Sequence, residues 1–392
     1  MNELTINNTP VRTSKNYQIN NIILDIADVK NGVFENCFFQ DFDTENIEVS
    51  NNVNDINLTF GNSKELENQV NKQANKKLKI DLKGNTDKEN IINFIFDENN
   101  RTLIDCIEIV VHHSCSGKLT VRYAISYDES IKSKSCNNSF CSSNVRGGES
   151  EFEARCNIAN MYLKEGKVAG YHNGIISVKM EEDSSLELNV INLLGSATTN
   201  IISIENELRN NARLNYNIVD FGANSSITNY YSNLKGENSE NNLNTIYLGK
   251  NSQLLDLNYI VEVRGEKSKV NIDVQGALKD NAKKHFKGTI DFKRGGKKAE
   301  GSENEFCMLL SDEAKSISLP MLLCDEEDVV GNHATAVGKV NNKELFYIMS
   351  RGFKEKEAKT LLVRARFNRV IEQITDENLK NELISEINYR LS

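Results

Sequence analysis

Tryptophan is absent and proline occurs only twice in 392 residues. The chain therefore has no indole platforms of the kind that line sugar-binding grooves, and few positions that fix a kink through φ. No window approaches the run of about 20 apolar residues that a membrane-spanning helix needs. The opening, MNELTINNTPVRT, has no apolar core of signal-peptide length, so the expectation is a cytoplasmic protein. Positive charge is also in short supply: 47 Lys and Arg are scattered among 56 Asp and Glu, for a net charge of −9. No basic stripe exists to neutralise phosphates, which argues against nucleic acid as a partner. Other missing signatures are the GxxxxGK[ST] phosphate loop, GxSxG, HExxH and any CxxC pair. Nucleotide hydrolysis by this chain itself, serine-esterase chemistry and a zinc ribbon all lose their usual marks.

What is present is alternation. From about residue 103 to 340, short runs such as IEIVVH, LTVRYAIS, IANMYL, IISVKM, LELNVINL, LNYNIVDF and LLDLNYIVEV alternate apolar with polar residues. Each is bounded by Gly, Asn or Ser, the pattern of strands. Before many of them a turn recurs in the form polar, small, any residue, aliphatic. These turns end at Val168, Leu186, Leu214, Ile227, Leu254 and Val270, with spacings of 18, 28, 13, 27 and 16 residues, several near 13 or its double. A repeating strand with a small residue at each corner suits a stacked coil, in which each coil covers the apolar face of the next. The expected fold is thus mainly β: a right-handed parallel β-helix (β-solenoid) over 101–342, an N-terminal α/β region over 1–100, and a C-terminal helical segment over 343–392. A β-sandwich is the alternative, because spacing does not fix parallel pairing. Abundant Asn fits tight turns that need φ above zero.

In KEKEAKTLLVRARFNRVIEQI, Ala358, Leu361, Leu362, Ala365, Val370, Ile371 and Ile374 recur largely at helical spacing. A second stripe follows in Leu379, Leu383, Ile384, Ile387 and Leu391. Such helices either cap the open end of the solenoid or dock a partner.

Five histidines and eight cysteines carry the remaining metal and nucleophile chemistry. His112 and His113 are consecutive on a strand and face opposite sides. His172, in GYHNG, reads as a surface turn residue, and His285 sits among lysines in KKHFKG. Cys136 and Cys141 fall in a Ser- and Asn-rich stretch, and most of the other thiols read as buried hydrophobes. His333 in GNHATAVGKV, with Cys307 and Cys324 nearby in sequence, forms the most compact His/Cys neighbourhood. Imidazole and thiolate both suit iron and iron–sulfur clusters.

The run EFCMLLSDEAKSISLPMLLCDEEDVVGNHATAVGKVNNKELFYIMSRGFKEKEAKTLLVRARF, residues 305–367, resembles the core of the SufB/SufD family of iron–sulfur cluster assembly proteins. Its landmarks are LLSDEA, Pro320 eight residues past Asp312, His333 thirteen past that proline, and LFYxxSRG followed by ExEA. The resemblance implies a scaffold subunit rather than an enzyme, built on a β-helix. It implies pairing with a SufB-type subunit and docking of a SufC ATPase by the C-terminal segment, with Phe346, Tyr347, Arg351, Leu361 and Leu362 as contacts. A transient Fe–S cluster would form at the subunit interface, with His333 as ligand or orienter. The position at which SufB carries its sulfur-accepting cysteine is Glu305 here, and Ala334 stands where SufB tends to have Glu. Both departures point to a SufD role; Cys307 as a shifted acceptor and Cys324 as a further ligand are weaker expectations. A SufB-like homodimeric scaffold is the alternative, and a carbohydrate-active β-helix enzyme is the rival of another class.

Overall fold

The computed structural model describes residues 3–10, 22–25, 32–125 and 169–391. The segment with Cys136, Cys141, Cys156, the IANMYL run and Val168 lies outside the described residues. The chain winds into a solenoid of about eight turns whose strands build two facing nine-stranded sheets. Sheet I has the order β20 (Val329–Lys339), β18 (Ala299–Leu309), β16 (Lys269–Leu278), β14 (Glu240–Gly249), β12 (Arg213–Asp220), β10 (Ser185–Leu193), β8 (Ser116–Ile125), β6 (Glu89–Phe96), β3 (Cys37–Gln40), and sheet II the order β19 (Lys315–Cys324), β17 (Lys283–Phe292), β15 (Leu254–Val263), β13 (Ser225–Leu234), β11 (Thr198–Leu208), β9 (Gly170–Met180), β7 (Thr102–Val111), β5 (Lys76–Leu82), β4 (Ile47–Ser50). Neighbours are parallel from β5 and β6 (Lys76–Leu82, Glu89–Phe96) to β19 and β20 (Lys315–Cys324, Val329–Lys339). Ladder partners on adjacent coils are 26 to 32 residues apart, except for a step of 69 in the coil that contains residues 126–168. The 13-residue spacings in the sequence are half-coils.

The corners explain the asparagines. Asp183, Asn211, Asn238, Lys267 and Lys298 stack along one edge with φ between 52 and 58°. Asn and Asp tolerate this left-handed conformation better than most residues. The amide of each of the first four donates to a carbonyl of the next coil, as Asn211 N does to Glu237 O at 2.8 Å. The lumen between the sheets is filled by alternate residues of each strand. Its middle carries an aromatic stack in which Tyr216, Tyr230, Tyr259 and Phe286 meet edge to face at 5.1 to 5.9 Å.

The two ends differ. At the first, β3 (Cys37–Gln40) and β4 (Ile47–Ser50) pair antiparallel with β6 and β5 and stop the coil. Helix α1 (Lys64–Gln73), capped by Ser63, packs Val70 onto Ile104, Cys106 and Ile175 on the outside of sheet II. β1 (Glu3–Ile6) pairs with β2 (Ile22–Asp25), and the residues after β1 lie across the same sheet, where Asn258 Nδ2 donates to Asn8 O at 2.9 Å. The expected boundary at residue 100 falls inside the solenoid. β5 and β6 already belong to it, although the lysines of KKLKIDL obscure their alternation.

At the other end, among the described residues, β19 and β20 have no outer neighbour. The C-terminal helices do not cap this end. After α2 (Asn342–Ser350), helices α3 (Glu355–Ile371) and α4 (Glu377–Leu391) fold back as a hairpin on the outer face of sheet I. Val363, Phe367, Leu383 and Ile387 bury against Ile191, Val219, Phe221 and Ile246, with Phe367 stacked on Phe221 at 5.8 Å. Glu89, buried on sheet I, accepts from the backbone N–H groups of Thr375 (2.7 Å) and Asp376 (3.0 Å) at the start of α4. Arg122 and Glu382, and Arg369 and Asp273, pair across the same seam. Among the described residues, no helix is long and apolar enough to cross a membrane.

Candidate functional site at the open end of the solenoid

Alternation along β18 (Ala299–Leu309) sends Glu303, Glu305 and Cys307 into the lumen, with Asn304 exposed and Phe306 half-buried on the other face. From β17 (Lys283–Phe292), Lys284, Phe286 and Gly288 point the same way. The last coil adds Ser316, Ser318 and Pro320 from β19 and His333 from β20, since Gly288 pairs with Pro320 and Glu303 with His333. A lumen that is aromatic in its middle thus ends in charged and polar side chains.

Most of this chemistry is satisfied internally. Lys284 Nζ lies 2.6 Å from Glu305 Oε1 and donates to Ser318 Oγ at 2.9 Å, and both ionic side chains are completely buried. Ser318 donates to the other Glu305 oxygen at 2.9 Å, and Tyr247 OH lies 3.3 Å from Oε1. Cys307 is fully buried beside this group, and burial pushes its thiol up, away from the thiolate that accepts sulfur or binds metal. Its ladder partner is Val337, four residues along the strand from His333. Cys324 is exposed at the far end of β19, its Sγ 3.5 Å from Glu326 O. The three residues that looked like one neighbourhood in sequence are therefore spread over the last two coils.

Glu303 is different. It is 1% exposed, and neither carboxylate oxygen has a hydrogen-bond partner. Its carboxyl is pushed up to about 8, first by burial and second by the charge of Glu305. The group rests over Gly288, where a Cβ would fall inside the carboxylate. His333 is exposed on the edge strand above it. Among the described residues, no group of three or more His, Cys, Asp or Glu side chains is arranged to hold a metal ion.

Next to the open edge, α2 has no buried residue, and Phe346 and Tyr347 are 74% and 59% exposed. Arg351 donates to Tyr347 OH at 3.0 Å and stacks 5.1 Å from its ring. Leu361 and Leu362 are half-buried on α3, and Leu362 packs against the helix–sheet core.

Two expectations from the sequence need correction. His172 is not a surface residue: it is fully buried in the lumen, Nε2 2.9 Å from Asp105 Oδ1 and Nδ1 2.6 Å from Asn200 Oδ1. Tyr123 OH donates to the second Asp105 oxygen at 2.9 Å. The GYHNG run looked like a turn, but its glycines make room: a Cβ at Gly174 would meet both Asp105 and His172. His285 has a carboxylate as neighbour, Asp256 Oδ2 at 3.4 Å, although its sequence neighbours are lysines. The buried Lys284–Glu305 pair and the orphan Glu303 were not foreseen. The usable signal was a lysine or glutamate at the apolar beat of an alternating strand, in KKHF and GSENEFC.

Comparison with known proteins gives this end its context. Residues 149–366 match the family model described as SUF system FeS cluster assembly, SufBD core domain. The iron–sulfur cluster assembly protein SufD of Bacillus subtilis is 26% identical over 216 residues, 55% of this chain and 49% of that protein. SufD of Escherichia coli is 24% identical over 158 residues, 40% of this chain and 37% of that protein. A SufBD family protein of Pyrococcus horikoshii is 30% identical over 142 residues, 36% and 31% of the two chains. The chain thus spans about half the length of these curated relatives, or less. The matched region takes in the solenoid from β9 (Gly170–Met180) to the open edge, then α2 and most of α3. This chain belongs to the SufBD family of iron–sulfur cluster assembly proteins and is most like its SufD members.

Proposed function

We propose that this chain is a SufD-type, non-catalytic subunit of a cytoplasmic SUF scaffold. It pairs edge to edge with a SufB-type subunit through β19 and β20 and docks a SufC ATPase through the segment from residue 343. The nascent Fe–S cluster is cargo at the subunit seam, and His333 is a ligand or orienter there. Opening of the seam is driven by ATP on SufC, and this chain binds no nucleotide.

One observation carries the reading: the last coil is long, parallel and unpaired on its outer side, and His333 lies exposed on it. An uncovered edge of two strands of 10 and 11 residues is a template for another chain. The uncovered apolar face of α2, with Phe346, Tyr347 and Arg351, suits a second partner, and the half-buried Leu361 and Leu362 of α3 are further candidate contacts. Glu305, bound to Lys284, favours SufD over SufB, since a carboxylate cannot take up persulfide sulfur. Cys307 and Cys324 are secondary candidates as ligands, the first hindered by its burial.

Affinity purification with endogenous partners tests the assembly. Recovery of SufB-type and SufC-type proteins together supports the reading, whereas recovery of the ATPase alone favours a homodimeric SufB-like scaffold. His333→Ala leaves the complex intact and lowers cluster yield on reconstitution. Unchanged yield would remove the ligand role.

A further inference from the structure

The lumen beneath the open edge has more carboxyl groups than donors to serve them. Two carboxylates, Glu303 and Glu305, enter it two residues apart, and the lysine that reaches them, Lys284, is already bound to Glu305. Ser318 and Tyr247 also spend their hydroxyls on Glu305. Glu303 keeps both oxygens unpaired at 1% exposure, an arrangement that costs stability unless something else is gained. Gly288 below it has no side chain to fill the space, and its ladder partner Pro320 has no N–H to donate. The remaining neighbour with donor capacity in the ladder is His333, directly paired with Glu303.

We propose that Glu303 and His333 form a two-ligand half-site for a divalent first-row metal ion, ferrous iron in the working complex, completed by ligands from the partner across the seam. This rests on the reading of His333 as a cargo ligand and adds a second residue of this chain to it. Side chains rooted on adjacent strands start about 4.8 Å apart. Two ligands about 2.1 Å from one ion are about 3 Å apart, which a Glu and a His on one face of a ladder can reach. An imidazole with a carboxylate suits iron(II) and cobalt(II), and the incomplete set leaves positions open for sulfur or a partner side chain. An ion held there gives the carboxyl oxygens of Glu303 the partner they lack.

The test is an anaerobic titration of the full chain with Co2+, read by ligand-field absorption and calorimetry and repeated with ferrous iron. The wild type takes up one ion per chain; Glu303→Gln and His333→Ala each weaken it at least tenfold, and the double variant is no weaker than the poorer single. Glu303→Asp, which keeps the charge and shortens the reach, also weakens uptake and serves if the Gln variant folds poorly by circular dichroism. Wild-type affinity in both Glu303 variants, or no saturable uptake by the wild type, overturns the half-site. If His333→Ala alone abolishes uptake, Glu303 drops out and the role of His333 survives. Partner recovery is scored on the same variants; it stays unchanged if the half-site is right, and its loss counts against the edge-pairing reading.

Discussion

The ion pair at the end of the lumen makes a quantitative prediction. Lys284 and Glu305 are both completely buried, 2.6 Å apart, and each has further hydrogen bonds within the solenoid. Lys284→Met removes the ammonium and leaves Glu305 with only Ser318 and Tyr247 as donors, beside a second carboxylate that has none. An uncompensated buried charge of this kind costs about 3–5 kcal/mol. Glu305→Met strands the ammonium near the rings of Tyr247 and Phe286, which lie 5.8 and 5.6 Å away and return only a fraction of the loss. The double variant, with two methionines in the same volume, is expected within about 1–2 kcal/mol of the wild type, because replacing a whole buried pair by apolar groups is often neutral or better.

Urea unfolding of the three variants gives the coupling, and amide hydrogen exchange locates it. In a stacked coil each turn is held mainly by its neighbours, so the loss appears first as faster exchange in β19 and β20. A cost below about 1 kcal/mol for Lys284→Met, or a double variant no better than the singles, would refute the argument that this end is dry.

Three further outcomes follow from the outer face of sheet I and from α2. Although burial opposes it, hydrogen bonds from Thr120, Thr375 and the backbone of Asp376 and Thr375 hold the Glu89 carboxyl below its usual range. Its stabilisation is therefore present at neutral pH and lost as pH falls through the lowered value, and Glu89→Gln should cost about 1.5–3 kcal/mol, seen as faster proteolysis of the α3–α4 hairpin. Asp220 has the opposite sign: burial pushes it up to about 6 despite help from Ser226, Asn192 and the Arg390 charge, so it loses stability as pH rises from about 4 to 6. Asp220→Asn should flatten that part of the pH–stability curve in urea unfolding and gain up to about 3 kcal/mol at pH 7. Phe346→Glu, on a helix with no buried residue, should change stability by less than about 0.5 kcal/mol and abolish recovery of the ATPase.

The β-solenoid was legible because stacking writes itself into sequence as a period. Leu186, Leu214 and Val270 share one ladder column of sheet I, with Asn241 between the last two, and the asparagines mark corners that need positive φ. The boundaries were less legible. KKLKIDL has its apolar beat on Leu78, Ile80 and Leu82, but its lysines and its short length hide the beat in sequence. The helices at the C-terminus were readable as helices, yet their stripe cannot say which surface it meets. Ile191, Val219 and Ile246 face outward on strands whose inward residues are just as apolar, so the docking site for α3 and α4 appears only once the coil is built. His172 misled because glycine-rich flanks usually mean a turn, whereas here Gly174 clears space for an imidazole inside the coil.

Ladder geometry also separates what is structural from what is available in this site. Every parallel strand repeats the facing of the one below, so a lumen position in one coil stays a lumen position in the next. Along the chain of ladder partners Leu243, Ile272, Glu303 and His333, two aliphatic residues are followed by a buried carboxylate and then an exposed imidazole. The aliphatic steps seal the lumen from solvent and keep Glu303 dry. The last step is the position at which a further strand would normally cover the imidazole. Lys284 and Glu305 close the neighbouring column of the lumen with their own charges, which leaves the Glu303–His333 column to end in unspent valence at the edge where a second subunit would continue the sheet.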